Sequence, residues 1–356
     1  MLAKQRSYYR DYIKEFTLDT HSTAAVEEDP LGALVADPLG ALALDDEDDS
    51  GGGGGSGGGE AAAGPSAWDT YFKDNETIEQ IDKDVKRLCP EFAFFQGETY
   101  QPAPEGAKPL HLRVGRRILS SESITAKGAS GVGKRKNKEA IETDGSAEAA
   151  VASKDGGEFH WEVIERILFV YAKLNPGIGY VQGMNEILGP LYYVMASNPD
   201  EEWRQHAEAD TYWCYMLLLT EFRDNFVKSL DDSDMGVGAT LARFESIVKV
   251  HDPSVQEDLQ RKGIKPMFYA FRWCTCLLSQ EFALPDIIRL YDSLFAKREK
   301  KEYLLCMCTA MLMLVRDDIL KGGFADNVKL LQHLPAMEPH EILIKADKVS
   351  EAEEKR

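Results

Sequence analysis

The segment HWEVIERILFVYAKL, residues 160–174, sets Trp161, Ile164, Leu168, Tyr171 and Leu174 at intervals of three and four. That spacing collects apolar side chains on one face of a helix. Asn175-Pro176-Gly177 then stops it, because proline has no N–H to continue the ladder and glycine favours a turn. The same period recurs over about 185–197, 209–228, 238–250, 267–282, 285–296, 301–320, 324–334 and 338–349. Between these segments nothing alternates apolar and polar residues in the period of two that a half-buried strand requires. The pattern predicts an all-α protein, with many short helices around one extended core rather than a simple bundle.

Two regions break the pattern. Residues 1–20 carry YYRDYIKEF at 8–16, which suits a short amphipathic N-terminal helix, but 21–66 hold DPLGAL at 29–34 and again at 37–42, then DDEDDS and a Gly/Ser run. Two copies are too few for a repeat architecture, and a Gly run cannot repay its ordering entropy, so 21–66 reads as a disordered acidic and Gly-rich linker. Residues 101–157 are rich in Gly, Ala, Ser and Lys without sustained periodicity, the composition of a long insertion between two ordered pieces. One domain is therefore expected over 67–350, interrupted at about 101–157.

Charge changes the picture less than its total suggests. The 356 residues carry a net charge of -19, yet 15–72 alone contain thirteen Asp/Glu and no Lys or Arg, which leaves the body only mildly acidic. Nucleic acid and anionic bilayers both require a surplus of cations, so neither is expected as the main partner. The six cysteines include two C-x-C pairs and no C-x-x-C, with no His at zinc-finger spacing, and read as reduced, buried thiols of a cytosolic protein without a metal site. Met1–Phe16 is too rich in charge for a signal peptide, and the longest apolar stretch, Tyr303–Val315, has thirteen residues. A bilayer needs roughly 18 or more, so no transmembrane segment is expected.

Three places could carry chemistry. GASGVGK at 128–134 meets the phosphate-loop pattern up to its lysine, but Arg135 stands where Ser or Thr must hold magnesium, and neither a buried strand nor an apolar helix flanks it. That match is spurious, and with it a nucleotide-binding enzyme is set aside. In EQIDKDVKRLCPEFAFF, 79–95, Ile81, Asp84, Arg87 and Leu88 share one helix face, and Pro90 limits the helix so that Arg87 lies near its last turn. Taken alone, this is equally a C-terminal cation paired with an acid three residues earlier. In NPGIGYVQGMNEILGP, 175–190, four glycines and two prolines surround the uncharged Gln182 and Asn185. Gly177, Gly179 and Gly183 permit tight turns that could thrust Gln182 outward, or the loop could simply cap and pack. The Asp231-Asp232 pair reads as solvated.

Ile81-x-x-Asp84-x-x-Arg87 followed by Tyr180-Val181-Gln182 resembles, in order and spacing, the two finger motifs of the TBC domain of GTPase-activating proteins for Rab GTPases. Further resemblance lies in NPGIGYVQGMNEI at 175–187, RDNFVKSLDDS at 223–233 and FRWCTCLLSQEFALPDIIRLYDSLF at 271–295. The strings at 68–96 and 207–213 point to one subfamily within it. The chain departs from the family pattern at Asp82, where many members have Pro, and at Tyr291, where Trp is common.

The resemblance implies an all-α domain of two helical subdomains with a groove that receives the switch regions of a GTP-loaded Rab. It assigns Arg87 as the arginine finger and Gln182 as the glutamine finger, with Asp84 holding Arg87 and with Tyr180, Asn185 and Glu186 supporting the Gln182 loop. Arg272, Asp286 and Arg289 fall in matching strings, either at the partner surface or in an ion-pair network between helices. Trp273, Phe282 and Phe295 are core candidates. GTP and magnesium would come with the Rab, leaving this chain without a cofactor of its own. Such an activator would be cytoplasmic and meet endomembranes transiently through its partner. A non-catalytic TBC-type scaffold is the competing reading, and the presence of both Arg87 and Gln182 favours the activator.

Overall fold

The computed structural model describes residues 1–17, 67–104, 107, 109–113, 157–227 and 236–356. The acidic linker 21–66, most of 101–157, the GASGVGK string and Asp231-Asp232 lie outside these residues. Among the described residues the chain forms fourteen α-helices and three short 3-10 turns, with no strand and one isolated bridge between Glu98 and Phe159. The all-α expectation holds.

The first group of helices comprises α1 (Leu2–Thr17), α2 (Ala67–Val85), α3 (His160–Leu174), α4 (Met184–Ala196), α5 (Glu201–Arg204) and α6 (Ala207–Phe222). At its centre lies α3, buried without a break from His160 to Ala172, which is why its sequence is apolar well beyond one stripe. The buried Arg166 on α3 is matched on both sides: it grips Glu158, and it donates to both oxygens of Glu208 at 2.7 and 2.8 Å. A buried guanidinium is tolerable only when its donors are met in this way. The same cluster anchors the N-terminal helix. Tyr9 of α1 donates to Glu208 at 2.8 Å, Arg6 makes a two-point pair with Asp210, and the Trp213 indole donates to the Gln5 carbonyl at 2.8 Å.

The second group comprises α7 (Val237–His251), α8 (Pro253–Arg261), α9 (Ala270–Thr275), α10 (Leu284–Ala296), α11 (Lys300–Leu314), α12 (Arg316–Lys321), α13 (Phe324–Gln332) and α14 (Pro339–Glu354). Here α11 packs along α14 and α7, while α10 against α4 and α11 against α6 join the two groups. One continuous apolar core runs through both. At the seam, a cavity of about 640 Å³ opens between α4, α6 and α10, lined by Pro190, Leu191, Leu217, Ile288, Tyr291 and Phe295.

Several boundaries differ from the periodicity. The single helix expected over 267–282 is a 3-10 turn at Pro266–Phe268 followed by α9, which ends at Thr275 because Leu277 and Leu278 both take left-handed backbone angles, φ 49° and 66°. Apolar residues continue through that turn, so the pattern did not mark it. The expected helix 301–320 breaks at Val315 into α11 and α12. Helix α8 was unanticipated although Asp252-Pro253 announces it, with the Asp252 side chain capping the Val255 N–H at 3.3 Å. The ordered structure also reaches into 101–157: Leu110 is buried, and His111 lies against the Trp161 ring with Nδ1 3.4 Å from Glu162. Trp273 is fully buried, whereas Phe282 and Phe295 are half-buried against the core.

The cysteines are free. Four are buried as expected, but Cys89 is half-buried and Cys214 is exposed, lining the cavity between α4, α6 and α10.

Candidate functional site

Helix α2 buries Ile78, Ile81 and Val85 and ends there. A tightened turn follows, in which the Arg87 N–H meets the Asp84 carbonyl at 3.2 Å and the Leu88 N–H meets that of Val85 at 3.2 Å. Leu88 is buried and Cys89 reverses the chain with φ 42°, so Arg87 is held out between two anchored residues. The two cations just before it are paired one turn back, Lys83 with Glu79 at 2.7 Å and Lys86 with Asp82 at 2.9 Å. Arg87 is exposed, and its guanidinium has no side-chain partner among the described residues.

The second finger segment lies at the start of α4. Gly183, the residue before that helix, has φ 98°, and a Cβ there would stand 3.0 Å from Cys276 Sγ, so glycine answers both the conformation and the close approach. Gln182 precedes this constriction, exposed and without a hydrogen-bond partner among the described residues. A second close approach joins the segments: a Cβ on Gly189 would stand 3.1 Å from Leu88 of the Arg87 turn.

Polar contacts complete the link. The Tyr180 hydroxyl donates to Asp84 Oδ2 at 2.7 Å, and the buried Asn185 donates through Nδ2 to the Asp84 carbonyl at 3.3 Å and to Glu186 Oε1 at 3.2 Å. Asp84 therefore serves Tyr180 and not Arg87, correcting the expected acid–finger pair. The Arg87 N–H still meets the Asp84 carbonyl, but the Asp84 carboxylate turns to Tyr180 and the Arg87 side chain to solvent.

Burial raises the acids and thiols around this junction. Glu186 is pushed up to about 6 by desolvation, with Asp84 and Glu91 adding to the shift and the Asn185 amide opposing it. Tyr180 is raised far above the ordinary phenol range by burial and by its bond to Asp84, so it stays a donor. Cys89 and Cys276 are pushed up to about 12 and about 11 by burial, which keeps both thiols protonated and poor nucleophiles. The arrangement offers a free cation and a free amide on a tied scaffold, with no activated nucleophile between them.

The remaining candidates do not form one network. Arg272 donates to Glu281 at 2.6 and 3.0 Å and to the Gln332 carbonyl at 2.9 Å. Arg289 donates to Ser293 at 2.9 Å on the surface, and Asp286 lies in the first turn of α10. The expected ion-pair network of Arg272, Asp286 and Arg289 is thus absent among the described residues; Glu281, on the turn after α9, takes the partner's place. Sequence reading missed the contacts of Leu88 with Gly189 and of Gly183 with Cys276. The glycines were visible signals, their partners were not.

Residues 122–320 match the family model of the Rab-GTPase-TBC domain, a span that includes Gln182 and begins after Arg87. The chain is 48 % identical over 293 residues to human TBC1 domain family member 13, covering 81 % of this chain and 73 % of that one. It is 30 % identical over 189 residues to the GTPase-activating protein gyp1 of Schizosaccharomyces pombe, covering 49 % of this chain and 36 % of that one. The crystal structure of the Ypt/Rab-GAP domain of Gyp1p superposes with a TM-score of 0.60 at 18 % identity, covering 99 % of this chain and 81 % of that one, a likeness of fold. With the matched domain covering more than half its length, the chain belongs to the Rab-GTPase-TBC domain family.

Proposed function

We propose that this chain is a GTPase-activating protein that stimulates hydrolysis of GTP on a Rab-family partner by supplying Arg87 and Gln182 in trans. One observation carries the reading: Tyr180 and Asn185 bind Asp84, so two segments remote in sequence become one scaffold that leaves an arginine and a glutamine exposed and without a side-chain partner among the described residues.

In phosphoryl transfer, charge shifts toward the β-γ bridging and γ oxygens. A planar guanidinium with several donors stabilises that shift, typically by 10³ to 10⁵-fold, or ~4 to 7 kcal/mol. Arg87 has the reach and the free donors for it. Gln182 orients the attacking water, a task that needs a donor and an acceptor on one uncharged group. GTP and magnesium belong to the partner, so this chain contributes side chains only. No helix among the described residues is long and apolar enough to cross a membrane, and the proposed meeting with endomembranes runs through the Rab.

The test is single-turnover hydrolysis across a panel of purified, GTP-loaded Rab proteins, with wild-type chain and Arg87→Ala in parallel. Stimulation of a subset that Arg87→Ala abolishes is the expected result. A Rab that binds without faster hydrolysis would make this chain a scaffold instead.

A further inference from the structure

Helix α4 carries Asn185, Gly189 and Tyr193 at intervals of four, so the three share one face, each about 6 Å along the axis from the last. The limb that bears Arg87 meets that face in the same register. The Asn185 amide donates to the Asp84 carbonyl at 3.3 Å, Leu88 lies over Gly189, and the Tyr193 ring stands edge-on to Phe92 and Phe94 at centroid distances of 5.2 and 4.9 Å. Residues 84, 88 and 92 thus run along α4 beside 185, 189 and 193.

The same helix begins at Met184, two residues after Gln182. One element therefore carries Gln182 at its head and holds the Arg87 limb along its side.

The middle contact is the tight one. Gly189 is buried inside α4 and Pro190 follows it, so two poor helix formers stand together in a helix interior. Close approach explains the glycine: an added Cβ would stand 3.1 Å from Leu88 Cδ2 and 3.2 Å from Cδ1, nearer than ordinary packing, and Leu88 would have to give by a few tenths of an ångström. Leu88 is buried, and Cys89 beyond it is set at φ 42°, which leaves the turn little slack. The Cα atom of Arg87 is about 3.8 Å from that of Leu88. A push on Leu88 is therefore a push on Arg87 relative to Gln182. Reacting groups tolerate little of this, since a misplacement of about 1 Å can cost roughly 10²-fold in rate.

We infer that Gly189, with Leu88 seated on it, is a positioning residue that sets the place of Arg87 relative to Gln182. The inference rests on the activator reading and gives Gly189 no contact with partner or nucleotide.

The experiment uses the Rab most stimulated in the panel and the full chain carrying Gly189→Ala, Leu88→Val, or both. Gly189→Ala is expected to lower kcat for stimulated hydrolysis about fivefold with the KM for GTP-loaded Rab within twofold. Leu88→Val, which loosens the seat instead of overfilling it, should lower kcat about threefold. Valine lacks both δ carbons that an alanine at 189 would meet, so the double variant should return to within twofold of wild type. A structural role alone would not restore kcat in this way while KM stays fixed throughout. Wild-type kcat in Gly189→Ala, with Arg87→Ala inactive, overturns the positioning role and leaves the activator standing. So does a double variant whose loss is the product of the two single losses, because the sites would then act independently. A raised KM with kcat unchanged would move Gly189 to binding and overturn the role too. If Gly189→Ala does not fold, Leu88→Val decides alone, and wild-type kcat there overturns the inference. If wild type stimulates no Rab, the activator reading fails and the positioning role with it.

Discussion

The Tyr180 hydroxyl and Asp84 Oδ2 meet at 2.7 Å across 96 residues of chain, and this bond joins the turn that presents Arg87 to the loop that presents Gln182. Tyr180→Phe deletes only the hydroxyl. It leaves Asp84 without its side-chain partner and free to turn toward Arg87. We expect kcat for stimulated hydrolysis to fall about tenfold, near 1.4 kcal/mol, with the Rab KM within twofold. Asp84→Asn keeps an acceptor for the phenol and should cost less. Unchanged kcat in Tyr180→Phe, measured at saturating chain, would reduce the bond to a stabilising contact.

Arg87→Lys keeps the charge at an exposed position where no partner is lost, so thermal unfolding should barely move. An ammonium lacks the planar fork that reaches two oxygens at once, and stimulation should fall by roughly 10³-fold or more. Activity within a few-fold of wild type would mark Arg87 as an ordinary cation at a helix end.

The helices were legible wherever apolar residues kept a period of three to four against a polar face, as in α10. Legibility failed where apolar residues continued through a turn, as at Leu277 and Leu278 after α9, because burial of both helix and turn erases the contrast. It failed again at Leu110, one apolar residue in a stretch without period, which joins the core only once segments remote in sequence come together. In the site, the surroundings of Arg87 and Gln182 fitted a helix-end cation and a packing loop as well, and only the family resemblance singled the two out. Yet Asp84 was assigned to the wrong neighbour: sequence offered Arg87 three residues away, and the fold brought Tyr180.

Glu186 gives the junction a pH dependence. Burial pushes its carboxyl up to about 6 from the ordinary glutamate range near 4.5, so between those values the folded chain binds more proton than the unfolded one. Stability must therefore fall as pH rises through that window. At pH 7 the penalty is about 2 kcal/mol at most, at 1.36 kcal/mol per pKa unit. Glu186→Gln should remove it. The difference between the variant's and the wild type's unfolding free energy should grow from pH 4.5 to 6.5 and then level off. A difference flat across denaturant titrations at these pH values would mean that Glu186 titrates normally.

The source of the water-orienting amide can be tested from both sides. Many small GTPases use a switch glutamine of their own for that task, and its replacement by Leu disables them. If Gln182 supplies the amide in trans, a cognate Rab carrying that Gln→Leu change should still be stimulated substantially by the wild-type chain. Gln182→Ala should abolish most stimulation of wild-type Rab, yet bind it in the GTP form nearly as well, since the exposed side chain has no hydrogen bond to lose among the described residues. Melting should not change, because Gly183 and not Gln182 makes the close approach to Cys276. The two kinetic results stand or fall together. Loss with the Rab variant and full activity with Gln182→Ala would return the water to the Rab glutamine and leave Gln182 an exposed residue ahead of a helix.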